Sequence, residues 1–231
     1  MTQEKTNKKG RLIMAATHIG NLEDVPLRTI NALKMSDLLI FEEDKPARSL
    51  LKKAGIQRAY LKYNEHRSEE TLESLRSSLK KGETVCYVSD QGSPTLADPG
   101  RKLLEITYAL KCEIQVIPGP SAVTAAISAC PFNMDRFVFQ GFLPAETEKR
   151  EKQLLLIRES KVPSIILDTP YRLDKLLQSC LKIFPESQKA FLALDITGEE
   201  ELYSVGSFKK LSQVSEGKKL NFVLIINGST S

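Results

Sequence analysis

The chain has 231 residues, of which 41% are hydrophobic and 27% are charged, and its formal net charge is +4. This mixture is typical of globular proteins, and the length suits two compact domains better than one or three. No window approaches the run of about 18 apolar residues that spans a membrane, and the opening MTQEKTNKKG lacks the apolar stretch of a signal peptide. The mild positive charge permits an anionic partner but does not require one.

The cysteines indicate a reducing compartment. The four thiols belong to Cys86, Cys112, Cys130 and Cys180, and no two of them have a C-x-x-C spacing. Three of them lie in or beside apolar segments, where a thiol behaves as a small hydrophobic group. We therefore expect reduced cysteines in a cytoplasmic protein.

Short apolar runs alternate with helical patterns through the first half of the chain. The predicted strands are Leu12–Ala16, Leu38–Phe41, Ala59–Leu61, Thr84–Val88 and Glu113–Ile117. The predicted helices are Pro26–Lys34, Ala47–Lys53, Glu69–Lys80, Pro99–Leu110 and Ser121–Ala129. This alternation indicates βαβ units and a parallel sheet. The sequence therefore predicts an N-terminal α/β domain over residues 11–130.

The regular alternation of strands and helices changes after Cys130-Pro131-Phe132-Asn133, which ends the last of these helices. The next predicted strands are Phe137–Phe139, Ser164–Leu167, Ala190–Leu194, Leu202–Val205 and Asn221–Ile226, with one weak helical stretch between the last two. Because the last two strands lack a full βαβ connection to their predecessors, we expect a mixed, partly antiparallel sheet. The second α/β domain is predicted over residues 136–228.

Ligands of open parallel sheets bind beyond the carboxyl ends of the strands, where the strand order reverses. The loop after the first predicted strand is Thr17-His18-Ile19-Gly20-Asn21, which has one glycine and not the three of a dinucleotide fingerprint. The sequence also lacks a P-loop motif. These patterns argue against an NAD, FAD or P-loop nucleotide site.

Three consecutive carboxylates, Glu42, Glu43 and Asp44, follow the second predicted strand. Their mutual repulsion suggests a functional reason for the cluster. The alternative is structural: Asp44 caps the next helix and its two neighbours are solvated.

The loop after the fourth predicted strand is VSDQGSPTLADPG, from Val88 to Gly100. Its last part, Asp98-Pro99-Gly100, has the pattern of an N-cap followed by the first two residues of a helix. Residues 89–94 exceed what a turn requires, and they are predicted to form a wall of a ligand site.

The loop after the fifth predicted strand is Pro118-Gly119-Pro120-Ser121-Ala122. Gly119 permits a turn that other residues would strain, and the small side chains that follow let a ligand or a neighbouring backbone approach closely. Tight packing of helix on sheet is the structural alternative. We expect both, with ligand contact confined to Ser121 and Ala122.

The sequence lacks the motifs of a serine-hydrolase nucleophile and of a metal site. The two histidines are His18 and His66, no G-x-S-x-G motif occurs, and no group of side chains has the spacing of metal ligands. His66 lies in a polar stretch and is predicted to be a surface residue. No metal site is expected.

Six ordered motifs carry a resemblance to a known family. They are Ala16-Thr17-x-Ile19-Gly20-Asn21-Leu22-Glu23-Asp24, Glu43-Asp44, Ser89-Asp90-x-Gly92-x-Pro94, Asp98-Pro99-Gly100, Ile117-Pro118-Gly119-Pro120-Ser121-Ala122 and Gly141-Phe142-Leu143-Pro144. Together they resemble the tetrapyrrole-methylase-like superfamily over about residues 12–228. Within it, the sequence resembles the branch of small-subunit ribosomal RNA (cytidine) 2′-O-ribose methyltransferases.

The resemblance implies two α/β domains of the tetrapyrrole methylase type in a homodimer, with S-adenosylmethionine (SAM) folded into a cleft between the domains. The segments implied to touch SAM contain Ile19, Gly20, Asp90, Gln91, Gly92, Ser93, Pro94, Ser121, Ala122, Leu143 and Asp168. An acidic rim suits the cationic sulfonium of this cofactor.

The implied reaction is an in-line methyl transfer, in which catalysis consists mostly of positioning the acceptor against the methyl group. A hydroxyl acceptor must also lose its proton, and Asp44 or Asp90 is the expected general base. Glu43, Arg48 and Arg172 are expected to contact the substrate, the two arginines through RNA phosphate.

The sequence also departs from this RNA branch. His18 replaces a proline, Lys45-Pro46 replaces Thr-Arg after the Glu-Asp pair, and Asp168-Thr169-Pro170-Tyr171-Arg172 replaces a Glu-Ser-Pro-His-Arg motif. The sequence ends just after the last predicted strand, so the C-terminal segment of longer members is expected to be missing. Two alternatives stay open: a SAM-dependent methylase of a tetrapyrrole or another small molecule, and a SAM-binding module with little catalysis.

Overall fold

The computed structural model describes residues 8–64, 69–96 and 98–228. The chain divides into two compact units, of which the first ends at Ser121 and the second begins at Ala122. The domain ranges 11–130 and 136–228 stay predictions. His66, which the sequence predicts to be a surface residue, lies outside the described residues.

The first unit is built on a parallel five-stranded sheet. Its strands are β1 (Arg11–Ala15), β2 (Leu38–Phe41), β3 (Leu61–Lys62), β4 (Thr84–Val88) and β5 (Glu113–Ile117), in the order β3-β2-β4-β1-β5. Its helices are α1 (Leu27–Met35), α2 (Asp44–Lys53), α3 (Glu69–Lys80) and α4 (Arg101–Ala109), and a 3-10 helix covers Leu22–Asp24. Strands β1 and β4 are neighbours at the point where the strand order reverses.

The central strands β1, β2 and β4 are buried on both faces, which explains why they are mostly apolar, whereas the edge strand β5 is partly exposed. Successive side chains of a strand point to opposite faces. One cluster joins Ile13 and Val88 to apolar residues of α1 and α2, such as Leu33 and Leu50. The opposite cluster consists of strand residues packed against α3 and α4 and includes Leu12, Met14, Val85, Tyr87, Leu72, Leu75, Leu79, Leu103 and Ile106.

The second unit contains a mixed five-stranded sheet. Its strands are β6 (Val138–Gly141), β7 (Ser164–Asp168), β8 (Ala190–Leu194), β9 (Leu202–Gly206) and β10 (Phe222–Ile226), in the order β6-β7-β10-β8-β9. Its helices are α5 (Ala122–Ala129), α6 (Thr147–Ser160), α7 (Leu173–Ile183) and α8 (Phe208–Ser215), and a 3-10 helix covers Pro170–Arg172. Only the β6–β7 pair is parallel among the described strands of this sheet.

One large apolar cluster stabilises the second unit. It joins alternate residues of the sheet, such as Ile166 and Leu224, to Leu154 of α6, Leu177 of α7 and Leu211 of α8. Each of these five side chains is at most 1% exposed. Burying one such side chain contributes about 1.5–3 kcal/mol. The helices therefore hold the sheet from which the loops of this unit extend.

The predicted fold class, with a parallel sheet followed by a mixed sheet, is confirmed. The limits predicted for β2, β4, β5, β8 and α3 agree with the structure. The predicted start of α4 at Pro99 is wrong, since that helix begins at Arg101. Helices α6 and α7 had no counterpart in the prediction.

In the described part of the chain, every helix is too short or too polar to cross a membrane.

Candidate functional site

Two loops meet where β1 and β4 end. The amide of Thr17 donates to the carbonyl oxygen of Gly92 at 2.9 Å, and the amide of Gly92 donates to the carbonyl oxygen of His18 at 2.8 Å. The two strands run parallel and in register up to Ala15 and Val88. This reciprocal pair of hydrogen bonds therefore fixes the loop after β4 against the loop after β1.

Gly92 lies at a point of close backbone approach. Its φ is +72°, in the left-handed region that favours glycine. A Cβ added here would lie 3.3 Å from Cγ2 of Ile19, 3.5 Å from the carbonyl oxygen of Pro120 and 4.0 Å from Cα of Ser121. The hydroxyl of Ser93 donates to the carbonyl oxygen of Pro120 at 3.2 Å.

Three predicted ligand loops of the first unit are thus in mutual contact, because β1 lies between β4 and β5 in the sheet. This arrangement brings Ile19, Gly92, Ser93 and Ser121 together. Gly20 and Gln91 are exposed next to them in the chain, and Pro94 is half-buried. Ala122, the first residue of α5, is half-buried in the second unit.

A second pair of hydrogen bonds joins the ends of β2 and β4. The amide of Glu43 donates to Oδ1 of Asp90 at 3.0 Å, and the amide of Asp90 donates to Oε2 of Glu42 at 3.2 Å. Asn64 donates to Oε1 of Glu43 at 2.7 Å. The carboxylates of Glu42 and Asp90 therefore hold the backbones of two adjacent strand ends.

Burial and like charges change the proton affinity of this carboxylate pair. Burial, with the nearby charges of Asp90, Asp98 and Glu43, raises the pKa of Glu42 to about 7, although the bond from the Asp90 amide opposes the change. Burial also raises the pKa of Asp90, with the Glu43 and Asp98 charges adding to the effect. Both carboxyl groups therefore accept a proton more readily than an exposed carboxylate does.

Asp98 belongs to this acidic group and does not cap α4 as predicted. Its Oδ1 accepts hydrogen bonds from the hydroxyl of Tyr87 at 3.0 Å and from the amide of Gly100 at 2.8 Å. Gly100 is the N-cap, so the predicted N-cap at Asp98 is wrong. Burial raises the pKa of Asp98. Its other oxygen, Oδ2, is buried and has no hydrogen-bond partner among the described residues.

Asp44 has a different environment. It is the first residue of α2, and Glu43 occupies the N-cap position, so the structural alternative in which Asp44 caps this helix does not hold. Its carboxylate accepts from Tyr60 and Lys62, both at 3.1 Å, and Arg48 lies 3.6 Å away. Hydrogen bonds from Lys62 and Tyr60 lower the pKa of Asp44. Arg48 itself is largely exposed.

In the second unit, Asp168 lies at the carboxyl end of β7 with its side chain 0% exposed. Its Oδ1 accepts from the amide of Thr169 at 2.7 Å and lies 3.1 Å from Nη1 of Arg172. Nη2 of Arg172 also donates to the carbonyl oxygen of Leu143 at 2.6 Å. Burial raises the pKa of Asp168 against the opposing charge of Arg172. Arg172 therefore links Leu143 to Asp168.

Several buried polar atoms at these strand ends have no hydrogen-bond partner within the described ranges. They are Oγ1 of Thr17, Nδ1 of His18, Oδ2 of Asp98 and Oδ2 of Asp168. A buried polar atom without a partner costs about 1–3 kcal/mol, so each is available to a ligand or a water molecule. Thr17, Tyr87 and Asp98 were not among the predicted site residues. The period-two alternation of strand side chains would place Tyr87 on the same face as Glu42.

No group of three or more histidine, cysteine or acidic side chains is arranged to hold a metal ion in residues 8–64, 69–96 and 98–228.

A scan against protein-family models matches residues 11–212 to the Tetrapyrrole (Corrin/Porphyrin) Methylases. The fold is also similar to that of a solved structure, cobalt precorrin-4 methyltransferase, a cobalamin biosynthetic enzyme. The TM-score is 0.69 at 14% sequence identity, and 96% of each chain is covered. At that identity the likeness concerns the fold alone.

Curated relatives have higher sequence identity. A "Ribosomal RNA small subunit methyltransferase I" of Thermotoga maritima is 33% identical over 210 residues, covering 91% of this chain and 94% of the relative. A protein of the same name from Escherichia coli O157:H7 is 30% identical over 230 residues, covering 98% of this chain and 80% of the relative. The chain therefore belongs to the tetrapyrrole methylase family, and it is a SAM-dependent methyltransferase.

Proposed function

We propose that this protein transfers a methyl group from SAM to a ribose 2′-hydroxyl of small-subunit ribosomal RNA. The observation that carries the proposal is the meeting of three loops at Gly92, beside a half-buried carboxylate pair formed by Glu42 and Asp90. The relatives from Thermotoga maritima and Escherichia coli carry the name of a small-subunit ribosomal RNA methyltransferase, which supports RNA as the substrate.

The strand ends of the first unit have the chemistry that SAM requires. When bound, SAM supplies an electrophilic methyl group on a sulfonium cation. The carboxylates of Glu42, Asp90 and Asp98 make this edge of the sheet acidic, which favours a cation. The free oxygen of Thr17 is a hydrogen-bonding group that the described residues leave unsatisfied. We propose that SAM contacts the loops of this unit at Ile19, Gly20, Gln91, Gly92, Ser93, Pro94 and Ser121.

In the second unit, Ala122, Leu143 and Asp168 stay predicted cofactor contacts. Asp168 has one carboxylate oxygen, Oδ2, that is buried and without a partner among the residues described. This oxygen can accept a hydrogen bond from a hydroxyl or an ammonium group. Arg172 pairs with Oδ1 of the same carboxylate, so this ion pair does not occupy Oδ2.

The acceptor hydroxyl must lose a proton, and we propose Asp90 in preference to Asp44 as the group that takes it. Asp44 accepts two hydrogen bonds and lies beside two cations, which lower its pKa and its proton affinity. Asp90 is half-buried next to other carboxylates, and its pKa is raised. A general base is most effective when its pKa lies near the working pH.

We propose that Glu43 and Arg48 contact the RNA from the start of α2. The Arg48 side chain is 74% exposed, and a guanidinium can bind phosphate through two parallel hydrogen bonds. Its ion pair with Asp44, at 3.6 Å, joins two partly exposed side chains and is weak enough to yield to phosphate. Arg172 stays a predicted phosphate contact.

We further propose that the protein acts as a homodimer in the cytoplasm, where small ribosomal subunits are available. Analytical ultracentrifugation of the purified protein tests the dimer. A sedimentation profile of a monomer at micromolar concentration would contradict it.

The direct test of the activity uses purified protein, radiolabelled SAM and small ribosomal subunits. Label should enter the RNA, and digestion to nucleosides should recover it as a 2′-O-methylnucleoside. SAM binding measured by calorimetry without transfer to RNA would favour the small-molecule or the non-catalytic alternative. Transfer to a tetrapyrrole, but not to RNA, would establish the former.

A further inference from the structure

An exposed tyrosine lies at the carboxyl edge of the sheet in the second unit. Tyr171 belongs to the 3-10 helix that follows β7, and the residue is 77% exposed. Nζ of Lys219 lies 5.9 Å from the centroid of the Tyr171 ring. A cation at this distance interacts favourably with the face of an aromatic ring.

The position of Tyr171 is held by its neighbours in the chain. Arg172 forms an ion pair with the buried Asp168 and donates to the carbonyl oxygen of Leu143. Leu173, the next residue, is 1% exposed in the core of the unit. Before Tyr171 in the chain, the amide of Thr169 donates to the buried carboxylate of Asp168 at 2.7 Å. The backbone on both sides of Tyr171 is therefore anchored, while its ring extends into solvent.

A second exposed aromatic ring follows the neighbouring strand. Phe142 comes directly after β6, which pairs in parallel with β7, so both strands end at the same edge of the sheet. Phe142 is 49% exposed, and the carbonyl oxygen of the next residue, Leu143, accepts a hydrogen bond from Arg172. Two exposed aromatic residues therefore occur on one edge in segments that Arg172 connects, and Lys219 lies beside one of them.

Neither exposed ring is explained by the packing of the unit. An exposed aromatic ring beside a flexible cation is the combination with which proteins bind unpaired nucleotides, because every base has a face that stacks and every linkage carries a negative phosphate. Lys219, on an exposed stretch before β10, can reach a phosphate while its stem stays near the ring.

We propose that Tyr171 and Lys219 form a stacking site for an unpaired RNA base, with Tyr171 against the base and Lys219 against an adjacent phosphate. This inference rests on the proposed RNA substrate and specifies how that substrate is held. A single-stranded RNA segment is the expected occupant, since bases in a duplex are already stacked on each other.

Steady-state kinetics with small ribosomal subunits test the stacking site. Tyr171→Ala should raise KM for the subunits about 5- to 150-fold, the loss expected for one stacked base, and Tyr171→Phe should restore most of the affinity. Tyr108→Ala is the matched control, because Tyr108 lies on α4 in the first unit and is 70% exposed. An unchanged KM for Tyr171→Ala, with an active wild-type enzyme, would overturn the proposal.

A readout independent of catalysis separates this inference from the proposed function. The chain contains no tryptophan, so Tyr171→Trp introduces a single indole, which can be excited selectively over the tyrosines. Its emission should be quenched by a short oligocytidylate, and much less by a fully paired RNA duplex, whereas Tyr108→Trp should respond to neither. Quenching in an enzyme that does not methylate RNA would keep the binding site and reject the activity. The absence of quenching in an active enzyme would reject the site.

Lys219 is tested through salt dependence. Lys219→Gln should weaken oligocytidylate binding to Tyr171→Trp and reduce the slope of log Kd against log salt by about 0.7, the contribution of one phosphate contact on a single strand. Lys152→Gln, on an exposed position of α6, serves as the control for loss of one charge. If Lys219→Gln and Lys152→Gln gave the same slope of log Kd against log salt, Lys219 would not be a phosphate contact of this site.

Discussion

The amide of Glu43 donates a hydrogen bond to the carboxylate of Asp90 at 3.0 Å, across 47 residues of sequence. The amide of Asp90 in turn donates a hydrogen bond to the carboxylate of Glu42 at 3.2 Å. Each carboxylate therefore serves as a support for the neighbouring strand end as well as a candidate reactive group. The first bond uses only Oδ1 of Asp90, and the second uses only Oε2 of Glu42. The other oxygen of each carboxylate stays available for chemistry.

Replacing the proposed base should slow methyl transfer strongly without unfolding the site. Asp90→Asn keeps an oxygen that accepts from the Glu43 amide but cannot take a proton, so the rate should fall about 10²- to 10⁴-fold. Asp44→Asn should change the rate by less than about tenfold, because Asp44 is bound to Lys62 and Tyr60. Single-turnover rates and SAM affinity should be measured for both variants. Wild-type values for both would show that the site assignment is wrong.

The tight approach at Gly92 predicts a cofactor-binding defect. Gly92→Ala strains a backbone with φ of +72° by about 1–2 kcal/mol and places a methyl group 3.3 Å from Ile19. SAM affinity, measured by calorimetry, should fall about tenfold or more. Gly55→Ala is the control: its φ is +66°, and the added Cβ would meet nothing within 4 Å in the described part of the chain. Equal losses of SAM affinity in the two variants would contradict the role of this loop.

The pKa of Glu42 predicts a dependence of stability on pH. Its value in the folded protein is raised from 4.5 to about 7, so the folded state binds this proton more tightly than the unfolded state. Stability is therefore lost as the pH rises from about 4.5 through about 7. Glu42→Gln, which still accepts from the Asp90 amide, should remove that loss.

Thermal unfolding at two pH values measures the effect. Glu42→Gln should raise Tm at pH ~8 by about 2–4 °C, which corresponds to roughly 1 kcal/mol in a chain of this size, and it should have little effect at pH ~4. Glu70→Gln, at an exposed position in the first turn of α3, should not change Tm differently at the two pH values. The same shift at both pH values would contradict a raised pKa at Glu42.

The ion pair of the second unit predicts a contrast between two cations near α7. Arg172→Ala leaves the fully buried carboxylate of Asp168 without its charged partner and should cost about 1–3 kcal/mol or more. Lys182→Ala removes an ion pair with Glu151 in which the lysine side chain is 67% exposed, and it should cost about 0–1 kcal/mol. Urea denaturation gives both values. A cost for Arg172→Ala no larger than that for Lys182→Ala would show that Asp168 does not depend on the pair.

The parallel sheet was predictable because its strands are short apolar runs bounded by turn residues. Leu38–Phe41 and Thr84–Val88 are examples in which both limits agree with the structure. Such strands are buried on both faces, so their hydrophobicity shows directly in the sequence. Helix α6 was missed because a charged half is followed by Leu154-Leu155-Leu156-Ile157, a run without helical spacing.

The environments of individual carboxylates were not predictable. Asp98 precedes Pro99 and Gly100 in a sequence typical of a helix start, but its oxygen accepts from Tyr87, a residue of β4. Asp44 likewise binds Tyr60 and Lys62, which approach only after β3 pairs with β2. Local sequence patterns indicate caps, whereas these partners come from tertiary contacts that a single sequence does not contain.

The loops at Gly92 and Ser93 were the more predictable part of the site. Their excess of small and polar residues exceeds what a turn requires, and the structure brings them against Ile19 and Pro120. The rule that ligands bind beyond the carboxyl ends of parallel strands led to the same edge. Which residues contact one another at that edge could be identified only once the strand order was known.

The most direct test of the account is a map of ribose 2′-O-methylation on small-subunit ribosomal RNA from cells with and without the gene. The account predicts that deletion removes a methylated ribose, that the wild-type gene restores it, and that a gene encoding Asp90→Asn does not. An unchanged methylation map after deletion would contradict the proposed function.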